Sequence, residues 1–222
     1  MTAGALGAAL RARIERLSTT NLSDALDALG LKGATFGIRP LWDGGKIAGR
    51  AVTVKIVAAG PTKSESHLGV KAIEAASPGD VIVIDNGGRL ETSCWGGILA
   101  NGAKMKGVGA VVVDGALRDL DNCVEVKFPV YARGTVVATA RGRIQEEATN
   151  VLIQFGGVQV RPGDLAVGDR SGVVIVPQEK VDGVVAKADE LYAKEEEMIA
   201  EIRAGASMLE VDLKYGYEKM LK

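Results

Sequence analysis

Four short stretches hold residue types able to do chemistry together: Asp85-Asn86-Gly87-Gly88, Gly96-Gly97-Ile98-Leu99, Asp114-Gly115 and Arg118-Asp119. An aspartate is a hard oxygen ligand of the kind Mg²⁺ or Mn²⁺ accepts while keeping several waters. An adjacent arginine offers a planar fork to a carboxylate or a developing enolate oxygen. Arg118-Asp119 is therefore the strongest pair, although the dipeptide alone reads more readily as a helix start, with Asp119 near the dipole. Gly96-Gly97 opens a helical run whose unpaired backbone amides can hold an anion. The competing reading is a turn that needs positive φ. These two stand even until the Arg118 loop is set beside them, and then the anion site gains. Asp85-Asn86-Gly87-Gly88 lacks the third glycine of G-x-G-x-x-G and no Walker lysine follows, which argues against a dinucleotide or adenosylmethionine site. His67 is the one histidine in the chain, which excludes a multi-histidine metal centre. No G-x-S-x-G elbow accompanies any serine, so His67 reads as a surface or cap residue rather than part of a triad. Nothing marks Lys104 or Lys106 as a desolvated Schiff-base former.

Positioning these residues requires a strand–loop–helix–strand unit. Val81-Ile82-Val83-Ile84 and Ala110-Val111-Val112-Val113 are short β-branched runs. The segment between them, Ile98 to Lys106, has helical composition and stops at Gly107, a natural C-terminal cap. Two such strands around one helix should run parallel, covered on both faces, with ligands beyond their carboxyl ends. Upstream, residues 4–17 favour helix, Asn21-Leu22-Ser23-Asp24 resembles a second helix start and Gly30 its stop. The stretch 33–45 reads as irregular, 46–59 as a half-buried strand and 67–76 as a helix. Downstream come extended pieces at 129–132 and 135–140, a strand after Pro162-Gly163-Asp164 and another at 172–176. Pro162 to Asp169 echoes Pro78 to Asp85, and shared Pro-Gly turn chemistry explains this better than an internal repeat. A long charged helix is expected over 178–203 and a shorter one over 208–221.

At 222 residues, with 47% hydrophobic and 25% charged residues, the chain suits one globular domain: an α/β core at 18–177 and a helical extension at 178–222. A net charge of −1 gives no electrostatic case for nucleic acid or anionic membrane partners. No apolar run approaches the roughly 20 residues that span a bilayer. The arginines of MTAGALGAALRARIERL follow its apolar residues, the wrong order for a secretory signal. Cys94 and Cys123 lack C-x-x-C spacing and read as free thiols in a reducing cytoplasm.

The runs WGGILANGAKMKGVGAVVVDGALRD, FPVYARGTVVATARGR and GGVQVRPGDLAVGDRSGVVIVP resemble the 4-hydroxy-4-methyl-2-oxoglutarate aldolase family, grouped with the regulator of ribonuclease E activity A. The resemblance spans roughly residues 20–205. It implies a compact swivelling-type α/β sandwich with a βαβ core and a long C-terminal helix, assembled as a trimer or hexamer with sites between subunits. Asp119 matches the family's metal aspartate and Arg118 its substrate arginine, while Ile98 and Leu99 match positions whose amides hold the pyruvate carboxylate. Glu195 or Glu196 matches a glutamate that a neighbouring subunit's helix sends toward metal-held water. The pattern breaks at Gly97, where the family usually carries an acid, and at Asn122, where a second acid is usual. Three explanations are open for Gly97. Asp85 or Glu91 supplies the carboxylate; the substrate brings its own polar group; or aldol cleavage is lost and metal-assisted decarboxylation retained, the last slightly favoured over the first.

The resulting expectation is a Mg²⁺- or Mn²⁺-dependent class II-type lyase. It would cleave a 4-hydroxy-2-oxo acid to pyruvate, bind that acid through Gly96, Gly97, Ile98, Leu99 and Arg118, and decarboxylate oxaloacetate through the same enolate. The alternative is a non-catalytic regulator of a ribonuclease or helicase partner. Retention of Asp119 weighs against a purely regulatory role.

Overall fold

The structure is a computed structural model that describes residues 6–61, 66–216 and 218. Two helices come first, α1 (Ala8–Arg16) and α2 (Thr19–Ala28). The second starts earlier than Asn21, because Ser18 and Asn21 form a reciprocal capping box that fixes the entry. After the two-residue strand β1 (Arg39–Pro40) comes β2 (Ile47–Ala58), the long strand that organises the sheet. Then follow α3 (Val70–Ala75), β3 (Val81–Asp85), α4 (Gly97–Lys106), β4 (Ala110–Leu117), α5 (Leu120–Glu125) and β5 (Val130–Thr135). The next strands are β6 (Ile144–Thr149), β7 (Ile153–Phe155), β8 (Val158–Val160), β9 (Leu165–Asp169) and β10 (Gly172–Val176). The chain closes with α6 (Val181–Arg203) and α7 (Met208–Tyr215); the last residues expected in this helix lie outside those described.

Strands β2, β3, β4 and β5 run parallel, as the βαβ reading requires. The full order is β1-β5-β4-β3-β2-β9-β10, with β6 also pairing β2. The sheet curls until β1 lies against β9 and β10, so the expected sandwich is a nearly closed barrel. Its inner face carries Val81, Val83, Ala110, Val112, Tyr131 and Ile175, packed against Ile153, Phe155, Val158 and Val160 of the β7–β8 hairpin. The outer face of the parallel strands carries Ile82, Ile84, Val111 and Val113 beneath α3, α4 and α5. A third layer joins β9 and β10 to α1, α2 and α6 through Leu22, Leu26, Val174, Val184 and Leu191.

Two expectations need correction and a third holds. Thr53 of β2 is fully buried, so this strand is covered on both faces rather than half-buried. Strands β6 to β8 occupy a stretch in which no strand was foreseen, whereas 136–140 is irregular. The echo between Pro78 and Pro162 is a shared turn. Gly79 and Gly163 both hold φ near +90°, at 86° and 90°. Asp80 and Asp164 each bond their amide to the residue 77 or 161 carbonyl and accept that residue's amide on the carboxylate. One strand then enters parallel and the other antiparallel, so the units are not copies.

Candidate active site

The end of β4 brings Arg118-Asp119 to the start of α4. Ser93 forms a parallel bridge with Ala116, the Cys94 amide donates to the Ala116 carbonyl at 3.1 Å, and the Arg118 amide donates to the Trp95 carbonyl at 3.0 Å. This short ladder carries the chain from Cys94 straight into Gly96-Gly97, alongside Arg118. Asp119 takes the left-handed conformation, φ 57° and ψ 41°, at the start of α5. Its side chain does not cap its own helix but accepts the Gly97 amide of α4 at 3.0 Å. The Arg118 Nε lies 3.6 Å from the same oxygen. The other carboxylate oxygen has no partner among the described residues, so the side chain is oriented with one oxygen open to a ligand.

Neither Gly96 nor Gly97 has positive φ, which removes the turn reading. Both are glycine because the Arg118 loop comes close. A Cβ at Gly96 would sit 2.8 Å from an Asp119 carboxylate oxygen, and one at Gly97 2.5 Å from Asn122 Oδ1. The Asn122 side chain fills the space that an acid at position 97 would need. It is held there by Asn101 Nδ2, which donates to Asn122 Oδ1 at 2.8 Å and to the Gly97 carbonyl at 2.9 Å. The two departures from the family pattern are thus one packing arrangement. The first bond within α4 runs from the Ala100 amide to Gly96, so the amides of Ile98 and Leu99 have no intrahelical acceptor.

Arg118, Asp119, Gly96, Ile98 and Leu99 line one cavity of about 250 Å³. The sequence reading missed three of its walls. His67 lines it, as do Arg141 and Trp95, whose buried indole N–H has no acceptor among the described residues. His67 is the exposed residue expected, on the loop before α3, and it also forms part of the cavity rim. Partial burial first, then the Arg141 and Arg118 guanidiniums, lowers its proton affinity. Cys94 and Cys123 are free and buried. Burial pushes the Cys94 thiol up strongly, and burial with the Asp119 charge pushes Cys123 up to about 11.

The remaining carboxylates stand elsewhere within the chain. Asp85 is buried on the inner face of the sheet, paired with Lys55 Nζ at 2.6 Å and accepting the Gly87 and Gln154 amides. Asp114, beside it in register, pairs with Arg133 and accepts the Gly156 amide at 2.7 Å. This row of Lys55, Asp85, Asp114 and Arg133 fills the barrel end with the protein's own charges, so Asp85 does not serve the Arg118 cavity. Glu91 is exposed and accepts the Leu90 amide. Glu195 accepts Asn21 Nδ2 at 2.6 Å, tying α6 to α2, and neither it nor Glu196 lines the cavity of its own chain.

Against known proteins, the profile of the RraA-like family, described as Aldolase/RraA, matches residues 19–175. A Halalkalibacterium halodurans protein, provisionally named a 4-hydroxy-4-methyl-2-oxoglutarate aldolase, is 40% identical over 185 residues, 81% of this chain and 82% of that one. Protein DlpA of Legionella pneumophila is 29% identical over 202 residues; the match takes 91% of this chain but only 33% of DlpA. Among solved structures, an uncharacterized Pseudomonas syringae protein superposes with a TM-score of 0.83 at 32% identity, covering 93% of this chain and 98% of that one. Streptomyces coelicolor RraAS2, described as an unusual member of the RNase ES inhibitor RraA protein family, gives 0.77 at 30% identity over 86% and 96%. With a profile match across the core and relatives that retain the barrel and its helices, the chain belongs to the RraA-like family.

Proposed function

We propose that this protein is a divalent-metal-dependent carbon–carbon lyase that cleaves a 4-hydroxy-2-oxo acid to pyruvate and a second carbonyl compound. Oxaloacetate decarboxylation would pass through the same pyruvate enolate. One observation carries the reading: a carboxylate, a guanidinium and two unpaired helix amides converge on one cavity. The name of the Halalkalibacterium relative supports it.

Asp119 fits a metal of a particular kind. No cluster of three or more His, Cys, Asp or Glu side chains exists among the described residues, which does not suit a cation needing a full protein cage. A single oriented carboxylate with a free oxygen suits Mg²⁺ or Mn²⁺, which bind through one or two carboxylates and keep water. When bound, such a cation would supply Lewis acidity toward the substrate's carboxylate and keto oxygens. The protein's own part is separable. The Ile98 and Leu99 amides hold the carboxylate at the positive end of α4. Arg118 stabilises charge on the enolate oxygen as the bond breaks. Gly96 lets both approach without a side chain between them.

The exposed apolar residues support assembly of the site from several copies, as a trimer or hexamer. Ile98 and Met105 on α4 are 84% and 88% exposed, and Met208, Leu209 and Leu213 on α7 are 65%, 66% and 74% exposed. Glu195 or Glu196 would reach the cavity only across such a boundary. The likeness to the Streptomyces RNase ES inhibitor family member favours a second reading, a regulator that binds a ribonuclease or helicase. A screen of 2-oxo acids with Mg²⁺ or Mn²⁺, read by pyruvate release, separates the two. Turnover abolished by chelator and restored by metal is the expected result, with no adduct trapped by borohydride. Full activity in excess chelator contradicts the lyase reading, and tight protein binding without turnover supports the regulator.

A further inference from the structure

Cleavage of a 4-hydroxy-2-oxo acid requires a base for the 4-hydroxyl proton, whereas decarboxylation of oxaloacetate requires none. On the lyase reading above, the cavity must therefore contain a proton acceptor, and position 97 cannot provide it. Arg118 and Arg141 carry guanidiniums, which offer donors and no acceptor. Asp119 is assigned to the metal. The Cys94 thiol is held protonated by its burial. Ser93 Oγ donates to the Ala138 carbonyl at 2.7 Å. Among the described side chains that line the cavity from this chain, His67 is what remains. Its ring makes no hydrogen bond among the described residues, so a nitrogen is available to a ligand.

Its place in the fold fits the task. His67 and Arg141 also line a second cavity of about 460 Å³ that adjoins the first and includes Ser66, Gln145 and Glu146. A substrate whose carboxylate lies on the α4 amides and whose keto oxygen faces Arg118 extends toward this seam. Carbon 4 and its hydroxyl, placed at this seam, would face the wall that His67 forms. The charged groups around the ring are Arg118 on the loop after β4, Arg141 on the loop before β6, Asp119 and Glu146. Glu146 is engaged by the Gly69 amide at 2.7 Å and the Thr149 hydroxyl at 2.6 Å, and Arg118 is paired with Asp119 at 3.6 Å.

We propose that His67 is the catalytic base of aldol cleavage, standing in for the carboxylate absent at Gly97. The 4-hydroxyl proton passes to the free imidazole nitrogen. The C4–O bond becomes a carbonyl as the C3–C4 bond breaks, and its electron pair moves through C3–C2 onto the keto oxygen as the enolate. The imidazolium returns the proton to C3, releasing pyruvate and the neutral ring.

The test compares wild type with His67→Gln and His67→Ala on 4-hydroxy-4-methyl-2-oxoglutarate and on oxaloacetate, with Mg²⁺ present. Loss of a general base typically costs about 100- to 10,000-fold, so kcat/KM for cleavage should fall by that amount. Decarboxylation should fall by less than about tenfold, since that step has no proton to abstract; it also reports that the variants are folded. The acid limb of the wild-type cleavage profile should disappear in both variants. Because His67 is the sole histidine, its imidazole resonances can be followed without assignment. They should titrate below the ordinary histidine value and move when pyruvate and Mg²⁺ are added. Equal loss of both activities, or an acid limb that survives in His67→Gln, overturns the proposal. A wild type that decarboxylates but cleaves no hydroxy acid overturns it while leaving the pyruvate-enolate reading intact. Absence of both activities removes both.

Discussion

At the scale of single residues, the proposed site rests on two neighbours with different proposed duties. Asp119 is held by the Gly97 amide through one oxygen, a bond that an amide side chain could still accept. Asp119→Asn should therefore keep its place yet weaken Mg²⁺ affinity, measurable by calorimetry, because a neutral amide is a poorer ligand for a hard cation. Unchanged affinity would remove Asp119 from the metal. Gly97 poses a packing question as much as a chemical one. A Cβ there meets Asn122 Oδ1 at 2.5 Å and Asn122 Cβ at 3.1 Å. Gly97→Glu alone should destabilise by about 1–3 kcal/mol through overpacking, and Gly97→Glu with Asn122→Gly should recover most of that in urea denaturation. A single variant as stable as wild type would contradict the packing account. That Arg118 and Asp119 belong together on one cavity was legible in the sequence because their types and adjacency suit one chemistry. His67 and Arg141 were not, because what places them on the cavity wall is the path of two loops distant in sequence. A lone histidine beside a loop has no local signal that separates a cap from a base.

At the scale of elements, the parallel strands were legible because they are buried on both faces and read as continuous β-branched runs. Helix α4 was legible from its composition and its Gly107 cap, which takes φ 82°. Strands β6 to β8 were not, being short and partly polar. The central acid of β6, Glu146, is buried only because the Gly69 amide and Thr149 satisfy it. Asp85 belongs to this scale too. It sits in the row with Lys55, Asp114 and Arg133 that pins the β7–β8 hairpin over the barrel end, through amides of Gln154 and Gly156. Asp85→Asn should cost about 1–3 kcal/mol, below the cost for a fully buried pair because Lys55 reaches solvent. Pyruvate release per folded molecule should stay near wild type. A large loss of turnover with stability intact would place Asp85 back among the residues that serve the substrate.

At the scale of the whole molecule, the terminal helices divide into a buried part and an uncovered one. Helix α6 buries Val184, Val185, Ala188 and Leu191 against its own barrel, whereas α7 buries only Val211 among its apolar residues. It is tied back to α6 through Lys214 and Tyr215 on Glu201. Removing residues 206–222 should therefore spare the barrel, yet lower both the activity and the trimer or hexamer that sedimentation is expected to show. A fully active monomer would rule out a site shared between copies. No helix among the described residues is long and apolar enough to cross a membrane. All of this depends on the cavity at the start of α4 being where a pyruvate enolate forms, and Arg118→Ala tests that most directly. Its pyruvate release from a 4-hydroxy-2-oxo acid and from oxaloacetate should fall about 100- to 1,000-fold, as for loss of one oxyanion donor, with Mg²⁺ affinity retained. Turnover of both substrates near the wild-type rate would contradict the account.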